Sequence, residues 1–521
     1  MYKLFLSIIC FLVLYPLAFS QSTIAWQQLV DVQGYVTDTR LDDIALMPNN
    51  AYLISGYRSD TAASLNYDFL CTKLLPDATG TEWSRLYGGL GEEQANAIIA
   101  TPDSGAILVG HSASPDGDVG KANGNLDVWI LRIDAHGDIV WAQVWGGSLN
   151  EDATAISQTT DGNYWVTGYT ESADSNLTYN AGYKDVFLLK IDAQTGNILQ
   201  QHTYGGTGND VANAVHQNPT TQTVWVGAYS SSTDGDATGN HGSKDFWLLN
   251  INPNNGNLQW QRSYGGTASD AVTDMVPTND GNIVLLGDAL SNNGDVAGNY
   301  GQDDFWVIKV DTTQGNIIWA AHFGDAFYDQ SRSIIETPSG DLMAVGSTFD
   351  PSISPPNYTY DVWILKINGQ NGNLKWQKRF GGSNFDFANR IVPALNGGYL
   401  LACSTDSQDG DIDTGGGRHG SHKGWLVRLS ETTGIDNNQQ LSPLEYNIYP
   451  NPCSNVLQIN TTAYLDQYAT IKIYNAQQQL VWQQTLTNNN RIDLSRYPSG
   501  LYWVTLQTPK GIATKVISRV N

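Results

Sequence analysis

Short apolar or alternating runs, four to a group, recur between residues 24 and 430, separated by Gly, Asp, Asn and Thr. In one group Ala153 to Thr159 is followed by the turn pair Asp161-Gly162. Then come Tyr164 to Tyr169, Asp185 to Ile191 and, after Thr195-Gly196, a last run around Gln200. Period-2 runs of about four to eight residues bounded by turn residues predict strands. No stretch shows sustained helical periodicity with caps, so the chain reads as all-β.

The groups repeat. An aromatic-Gly-Gly signature stands at Tyr87, Trp145, Tyr204, Tyr264 and Phe380, with Phe323-Gly324-Asp325 a decayed copy, and the successive differences are 58, 59, 60, 59 and 57. Each strand type can be counted seven times; the inner strand recurs at Ile44, Ile98, Ile156, Val215, Met275, Ile334 and Ile391. Four antiparallel strands at this period make a propeller blade, so the expectation is a seven-bladed β-propeller over residues 21–430. The chain enters on a fourth strand, Ile24 to Val30, and the repeats end on a third strand, Trp425 to Leu429. Pairing of the two closes the ring and removes an open sheet edge.

Aligned positions divide into kinds. One acid precedes each inner strand (Glu93, Glu151, Asp210, Asp270, Asp329, Asp386), with Thr39 in the first blade. A ring of cation ligands is one reading; the favoured one is acceptance of backbone N–H bonds from the Gly-Gly turn. A second acid opens each third strand (Asp68, Asp127, Asp185, Asp245, Asp304, Asp361), followed by packing residues such as Trp129, Trp247, Trp306 and Trp363. Gly56, Gly110, Gly168, Gly227, Gly287 and Gly346 read as one column where a neighbouring blade approaches closely. The seventh blade departs, with Cys403 for the glycine, Lys423 for the aspartate, and an enlarged loop carrying Asp409, Asp411, Asp413, His419 and His422. Related loops hold Asp116-Gly117-Asp118, Asp234-Gly235-Asp236 and Asn293-Gly294-Asp295. Carboxylates clustered at Gly turns resemble hard-cation loops, which makes calcium the candidate metal at Asp116, Asp118, Asp234, Asp236, Asp409, Asp411 and Asp413. The glutamate of the twelve-residue calcium loop is missing, and Asx-turn chemistry explains the same residues. No other cofactor is indicated.

The ends carry a different kind of information. Lys3, an apolar run from Leu4 to Leu14, and small residues before Gln21 read as a signal peptide over residues 1–20. The run is too short for a membrane span, and no later run is long enough. Of the four cysteines Cys10 falls in that segment, so Cys71, Cys403 and Cys453 form no disulfide framework. Formal charge is −24; outside Lys3 and residues 443–521, 20 basic and 48 acidic residues give −28. Such a body repels phosphate backbones and anionic lipid, which argues against nucleic acid as a partner.

From residue 24 to 430 the chain resembles bacterial secreted β-propeller repeat proteins, a resemblance that implies fold more than activity. A linker spans 431–442. Beyond it stand Tyr449-Pro450-Asn451-Pro452, alternating strand runs, Pro498-Ser499-Gly500-Leu501-Tyr502 and Lys515-Val516-Ile517. This ordered set, over residues 443–521, resembles the C-terminal sorting domain of type IX secretion substrates in Bacteroidetes and predicts a small β-sandwich. The resemblance implies partnership with the type IX machinery and transit through the periplasm to the cell surface. It also implies removal of the domain and tethering of the passenger to surface polysaccharide. Three functions compete for the propeller. It could be a binding or adhesion platform for glycan, protein or cation, or a polysaccharide hydrolase or lyase at the propeller mouth. The third is a quinone-dependent dehydrogenase, suggested by segments such as Asp311 to Trp319 that resemble tryptophan-docking repeats. Against that reading stand a blade count of seven, not eight, and the lack of adjacent cysteines.

Overall fold

The computed structural model describes residues 23–30, 38–59, 66–76, 80–120, 122–175, 180–349, 359–395, 397–412, 422–430, 446–449, 453–461, 470–475, 480–485, 490–508 and 511–520. The signal peptide expected at 1–20 and the linker expected at 431–442 lie outside them. Described residues 23–430 belong to one compact unit and 446–520 to another.

The larger unit is a ring of seven four-stranded antiparallel sheets, without a helix among the described residues. In six blades (39–87, 93–145, 151–204, 210–264, 270–323 and 329–380) the chain runs in order from inner to outer strand. The seventh takes its first three strands from Asp386–Pro393, Tyr399–Thr405 and Lys423–Ser430, and its fourth from Thr23–Val30, in register from Thr23↔Ser430 to Val30↔Gly424. Inner-strand Thr39–Leu46 packs on the seventh blade, closing the circle. The expected closure is therefore the one observed.

Neighbouring blades cover both faces of each third strand, so these strands are apolar throughout instead of alternating. Asp127–Ile133, Asp245–Ile251 and Asp304–Val310 are buried at every residue. Their aromatic rings cross the blade interfaces. Phe69 meets Trp129 at 4.5 Å, Phe246 meets Trp306 at 4.6 Å, and Phe305 meets Trp363 at 5.0 Å between centroids. Such pairs add roughly 0.5–1.5 kcal/mol each beyond area burial. The outer-strand aromatics finish the interface: Tyr87, Tyr204 and Tyr264 donate their hydroxyls to the carbonyls of Gly137, Gly256 and Gly315 in the next blade, at 2.7, 2.7 and 2.6 Å. Trp319 Nε1 likewise reaches Gly369 O at 3.3 Å. The tryptophan-docking likeness is thus blade-to-blade packing.

Both columns of repeated acids lie in these seams. The acid opening each inner strand accepts the backbone N–H four residues earlier: Gly89 to Glu93 (2.9 Å), Gly147 to Glu151 (2.7 Å), Gly206 to Asp210 (2.8 Å), Gly266 to Asp270 (2.8 Å), Asp325 to Asp329 (2.9 Å) and Gly382 to Asp386 (2.7 Å). The third-strand acids do the same, Asp185 from Ala181 and Asp304 from Tyr300 at 2.6 Å each. The two acids meet at the first glycine of the aromatic-Gly-Gly turn. A Cβ on Gly146 would lie 2.0 Å from Asp127 Oδ1 and 2.6 Å from Glu151 Oε2. Oδ1 of Asp127, Asp185, Asp245 and Asp304 is buried with no hydrogen-bond partner, and burial pushes these carboxyls up, Asp185 to about 7 and Asp304 to about 6. The seventh seam lacks both members at once: Lys423 pairs with Thr405 where the other blades have aspartate, and Thr39 stands where they have an acid.

The second-strand glycines have a different cause from the one expected. A Cβ on Gly56, Gly110 or Gly168 would sit 1.9, 1.8 or 1.9 Å from the carbonyl oxygen of Arg40, Gln94 or Asp152, at a bulge in the inner strand of the same blade. Only at Gly287 and Gly346 does a ring of the preceding blade, Phe246 or Phe305, press as well. Gly227 is not in the column: the register puts Ala228 opposite the bulge, and Gly227 has ordinary space around it.

In the smaller unit Tyr446–Tyr449, Val456–Thr461 and Asn490–Asp493 form a three-stranded sheet. Leu480–Thr485, Thr470–Tyr474, Gly500–Thr508 and Gly511–Arg519 form a four-stranded one. Leu457, Ile471, Ile473, Ile492, Leu494, Tyr502, Val504 and Ile517 form its core.

Candidate functional site: the mouth of the channel

Each inner strand starts, and each second strand ends, at the same end of the ring, where the fourth-to-first and second-to-third connections also lie. One residue inward from the repeated acid, the cross-strand pairs stop repeating. They are Arg40↔Tyr57, Gln94↔His111, Asp152↔Tyr169, Val211↔Tyr229, Ala271↔Asp288, Gln330↔Ser347 and Phe387↔Ser404. Seven blades thus present seven different pairs around one opening.

The pairs make further contacts, some of them across to a neighbouring blade. Asp152 Oδ1 lies 2.9 Å from His111 Nδ1 and accepts from Asn96 Nδ2 at 2.7 Å. Burial works to lower the His111 pKa, but the Asp152 carboxylate outweighs it and holds the imidazole above its ordinary value. Lys184 sets its ammonium 3.6 Å from the Tyr169 ring centroid, and Lys244 lies 4.5 Å from that of Tyr229. Asp288 Oδ1 accepts from both the N–H and the hydroxyl of Ser331 at 2.6 Å, while burial holds its carboxyl at about 6. Phe385 and Phe387 lie 6.1 Å apart with planes only 3° from parallel, and Tyr360 stands 5.8 Å from Phe387. At the same end of the ring, in second-to-third connections, Tyr183 and Tyr300 are 74% and 65% exposed, enough to offer open ring faces.

Deeper in the channel one inner-strand position, four residues after the repeated acid, carries Asp43 in blade one, Asp274 in blade five and Arg390 in blade seven. Arg390 bridges them, Nε 3.0 Å from Asp43 and Nη1 3.2 Å from Asp274. Each aspartate also takes a backbone N–H of the following blade, Ile98 to Asp43 at 2.9 Å and Ile334 to Asp274 at 3.0 Å. The bridge ties blades 1, 5 and 7 together across the axis. Sequence reasoning passed over these residues; the signal was a position filled by Ala97, Ala155 and Ala214 in three blades and by charge in three others.

The acidic loops named as metal candidates lie at the same end, and one oxygen of each carboxylate holds backbone. Asp116 Oδ1 accepts from Leu90 N at 3.0 Å and Asp118 Oδ2 from Gly88 N at 3.3 Å. Asp234 and Asp236 take Thr207 N (2.7 Å) and Gly205 N (3.3 Å), and Asp409 and Asp411 take Ser383 N (2.7 Å) and Gly381 N (3.2 Å). Each loop thereby fastens the second-to-third connection onto the aromatic-Gly-Gly turn. Among the described residues no group of three or more His, Cys, Asp or Glu is placed to hold a metal ion. Asp413 and His419 lie outside the described residues; His422 pairs with Asp406.

In the smaller unit Tyr449 ends its strand, Gly500 pairs with Arg519 and Lys515 with Val504. Pro450, Asn451 and Pro452 lie outside the described residues. Residues 447–519 match the family model described as "Secretion system C-terminal sorting domain". The chain carries a type IX secretion sorting domain. That domain directs export to the cell surface or extracellular space. Buried Arg519, which donates to Ser499 Oγ at 3.3 Å and reaches Asn455 and Ser495, is a tie within the sorting domain that its motifs did not announce. No curated relative matches the chain. Among solved structures, a quinohemoprotein alcohol dehydrogenase from Comamonas testosteroni aligns at 10% identity and TM-score 0.39, covering 82% of this chain and 79% of that one. A fungal alcohol oxidase of the AA5 family in complex with copper aligns at 10% identity and TM-score 0.39, covering 96% and 100%. Likeness at this level carries no argument about activity.

Proposed function

We propose that the exported protein is a surface binding platform whose channel mouth takes a neutral glycan. The observation that carries this reading is the change of character between adjacent columns: the seam acids repeat, and the pairs next to them differ in every blade. Open aromatic faces, whose negative π-clouds suit the C–H faces of sugar rings, stand there beside carboxylate and amide groups that suit hydroxyls. A body charge of −28 disfavours anionic polymers. The test is retention of the full chain on immobilised xylan, galactomannan and dextran, with alginate as the acidic counterpart. Retention by at least one neutral polymer and not by alginate is expected; retention by none overturns the reading.

Export follows the type IX route, with the signal peptide at 1–20 supplying passage to the periplasm and the sorting domain the outer-membrane step. A truncation ending at residue 442 is expected to accumulate in the periplasm, and surface display of that truncation contradicts the assignment. A second reading, polysaccharide hydrolysis, draws on two strand carboxyls raised into the range of a general acid, Asp42 on the first inner strand at about 7 and Asp288 at the mouth at about 6, both by burial. It requires new reducing ends from the retained polymer.

A further inference from the structure

Blade six departs from the repeat in a way the seams do not require. At the mouth end the residue just before the inner-strand acid is Glu92, Asn150, Asn209 or Ser269 in four connections. It is Tyr328 and Phe385 in the two that flank blade six. The pair at the loop ends of the second and third strands changes with it. In blades three and seven that pair is charged, Glu171 with Lys184 at 3.6 Å and Asp406 with His422. In blade six it is Phe349 opposite Tyr360.

These rings join into one arc. Phe327 meets Phe349 at 4.2 Å between centroids, and Phe349 pairs across the sheet with Tyr360. Tyr360 stands 6.1 Å from Phe385 and 5.8 Å from Phe387, which are themselves 6.1 Å apart. The last three centroids thus mark a nearly equilateral triangle, with planes no more than 29° from parallel. A column of three rings would separate the outer pair far more than its neighbours, so these lie beside one another. The arc is open to solvent: Phe327, Tyr328 and Phe385 are 40%, 46% and 39% exposed. The rings that hold blade six in the propeller, Phe305 and Trp363, are buried by contrast.

Resting on the glycan reading above, we propose that this arc is the sugar-stacking part of the mouth and selects pyranose chains whose hydroxyls and linkages are all equatorial. Such a sugar turns only C–H bonds toward its two faces, and these meet the negative face of an aromatic ring without stripping water from a hydroxyl. An axial hydroxyl or linkage oxygen would be pressed against a ring that offers it no hydrogen bond. The arc carries no formal charge to hold an anion. A cage for a quaternary ammonium needs rings turned toward one point, whereas Tyr360, Phe385 and Phe387 are near-parallel. Ser383 and Asn384, exposed beside Phe385 in the same connection, supply polar partners for equatorial oxygens.

The full chain and two variants test this. Retention on xylan, whose backbone pyranoses are all equatorial, is expected to exceed retention on galactomannan, with axial mannose hydroxyls, and on dextran, with axial linkages. Phe385→Leu keeps an apolar side chain but removes the ring face, and its retention on xylan falls about tenfold, the worth of one ring contact. Phe385→Tyr keeps the face and binds within about twofold of the parent. Phe385 is part-exposed and outside the seams, so both variants melt with the parent. Three results overturn the proposal and leave the glycan reading standing. They are Phe385→Leu binding xylan as the parent does, Phe385→Tyr losing as much as Phe385→Leu, and a parent held better by galactomannan or dextran than by xylan. A parent retained by none of the three polymers overturns both.

Discussion

Glu151 and Asp152 are neighbours in one strand and belong to different regions of the molecule. Glu151 lies in a seam and is fully buried. Its two oxygens accept from Gly147 N (2.7 Å), Thr170 Oγ1 (2.9 Å) and Ser172 N (3.1 Å), and the same kind of acid stands at that place in six blades. Asp152 lies at the mouth, half-buried, holding His111, and no other blade has aspartate there. A seam residue answers to the blade on either side of it, and since every interface poses the same problem, six interfaces use the same solution. A mouth residue answers to nothing that repeats. The difference teaches that in a ring of copies stability is written in what recurs and recognition in what does not.

The strongest way to break the seam side of this contrast is to fill the glycine slot where the two acids meet. Gly146→Ala places a methyl group against Asp127 and Glu151 and is expected to cost about 3 kcal/mol in chemical denaturation. Polymer retention by the folded fraction should be unchanged. A cost near zero would show that the seam relaxes freely.

The next effect is pH dependence. Asp185 and Asp304 in the third strands, and Asp329 and Asp386 in the inner strands, are raised by burial to about 7, 6, 6 and 6. The folded form holds these protons more tightly than the unfolded chain. Their contribution is therefore complete below the ordinary carboxylate range and is lost as pH climbs through about 6 to 7. Asp161 and Asp280 act in the opposite sense. Burial lifts them, but the ammonium of Lys190 or Lys309 and a threonine hydroxyl outweigh it and hold each at about 2, so their contribution is lost only as pH falls through about 4 to 2. Melting is accordingly expected to be highest near pH 5 and lower at pH 8 by about 5 °C. Asp185→Asn, which puts an N–H where the proton sits, should flatten part of that slope. A Tm that rises from pH 5 to pH 8 contradicts a seam whose buried carboxyls hold their protons in the folded form.

The smallest effect concerns calcium. One oxygen of each of Asp116, Asp118, Asp234, Asp236, Asp409 and Asp411 accepts a backbone N–H. Millimolar calcium or chelator is expected to move the Tm by less than about 1 °C, whereas a site filled at 100 times its Kd would add about 2.7 kcal/mol. A rise of several degrees would assign these loops to the mouth's chemistry instead of to the turn they fasten.

The same division explains what could be read in advance. Blade number, ring closure, seam acids and crossing tryptophans were legible because seven copies in one chain compare themselves. The mouth was not, since Arg40, His111, Asp152, Asp288 and Phe387 become a group only when the ring brings their strands to one opening. Asp43, Asp274 and Arg390 lie far apart in sequence, and only a position-by-position comparison four residues beyond the repeated acid would have marked them. Gly227 misled because glycine alone fixed its column; the strand pairing, which places Ala228 opposite the bulge, was needed to see the offset.

The central claim is tested most directly by measuring melting and polymer retention together on Glu151→Gln and Asp152→Asn. Glu151 is surrounded by donors, so a glutamine amide must turn its own N–H toward one of them. That variant is expected to lose about 2–3 kcal/mol of stability and, while folded, to bind as the parent does. Asp152→Asn keeps an acceptor for its partners and should melt within about 2 °C of the parent while losing at least tenfold in retention. The reverse outcome, with binding lost at Glu151 and stability at Asp152, would contradict the assignment of repeated residues to stability and of unrepeated ones to recognition.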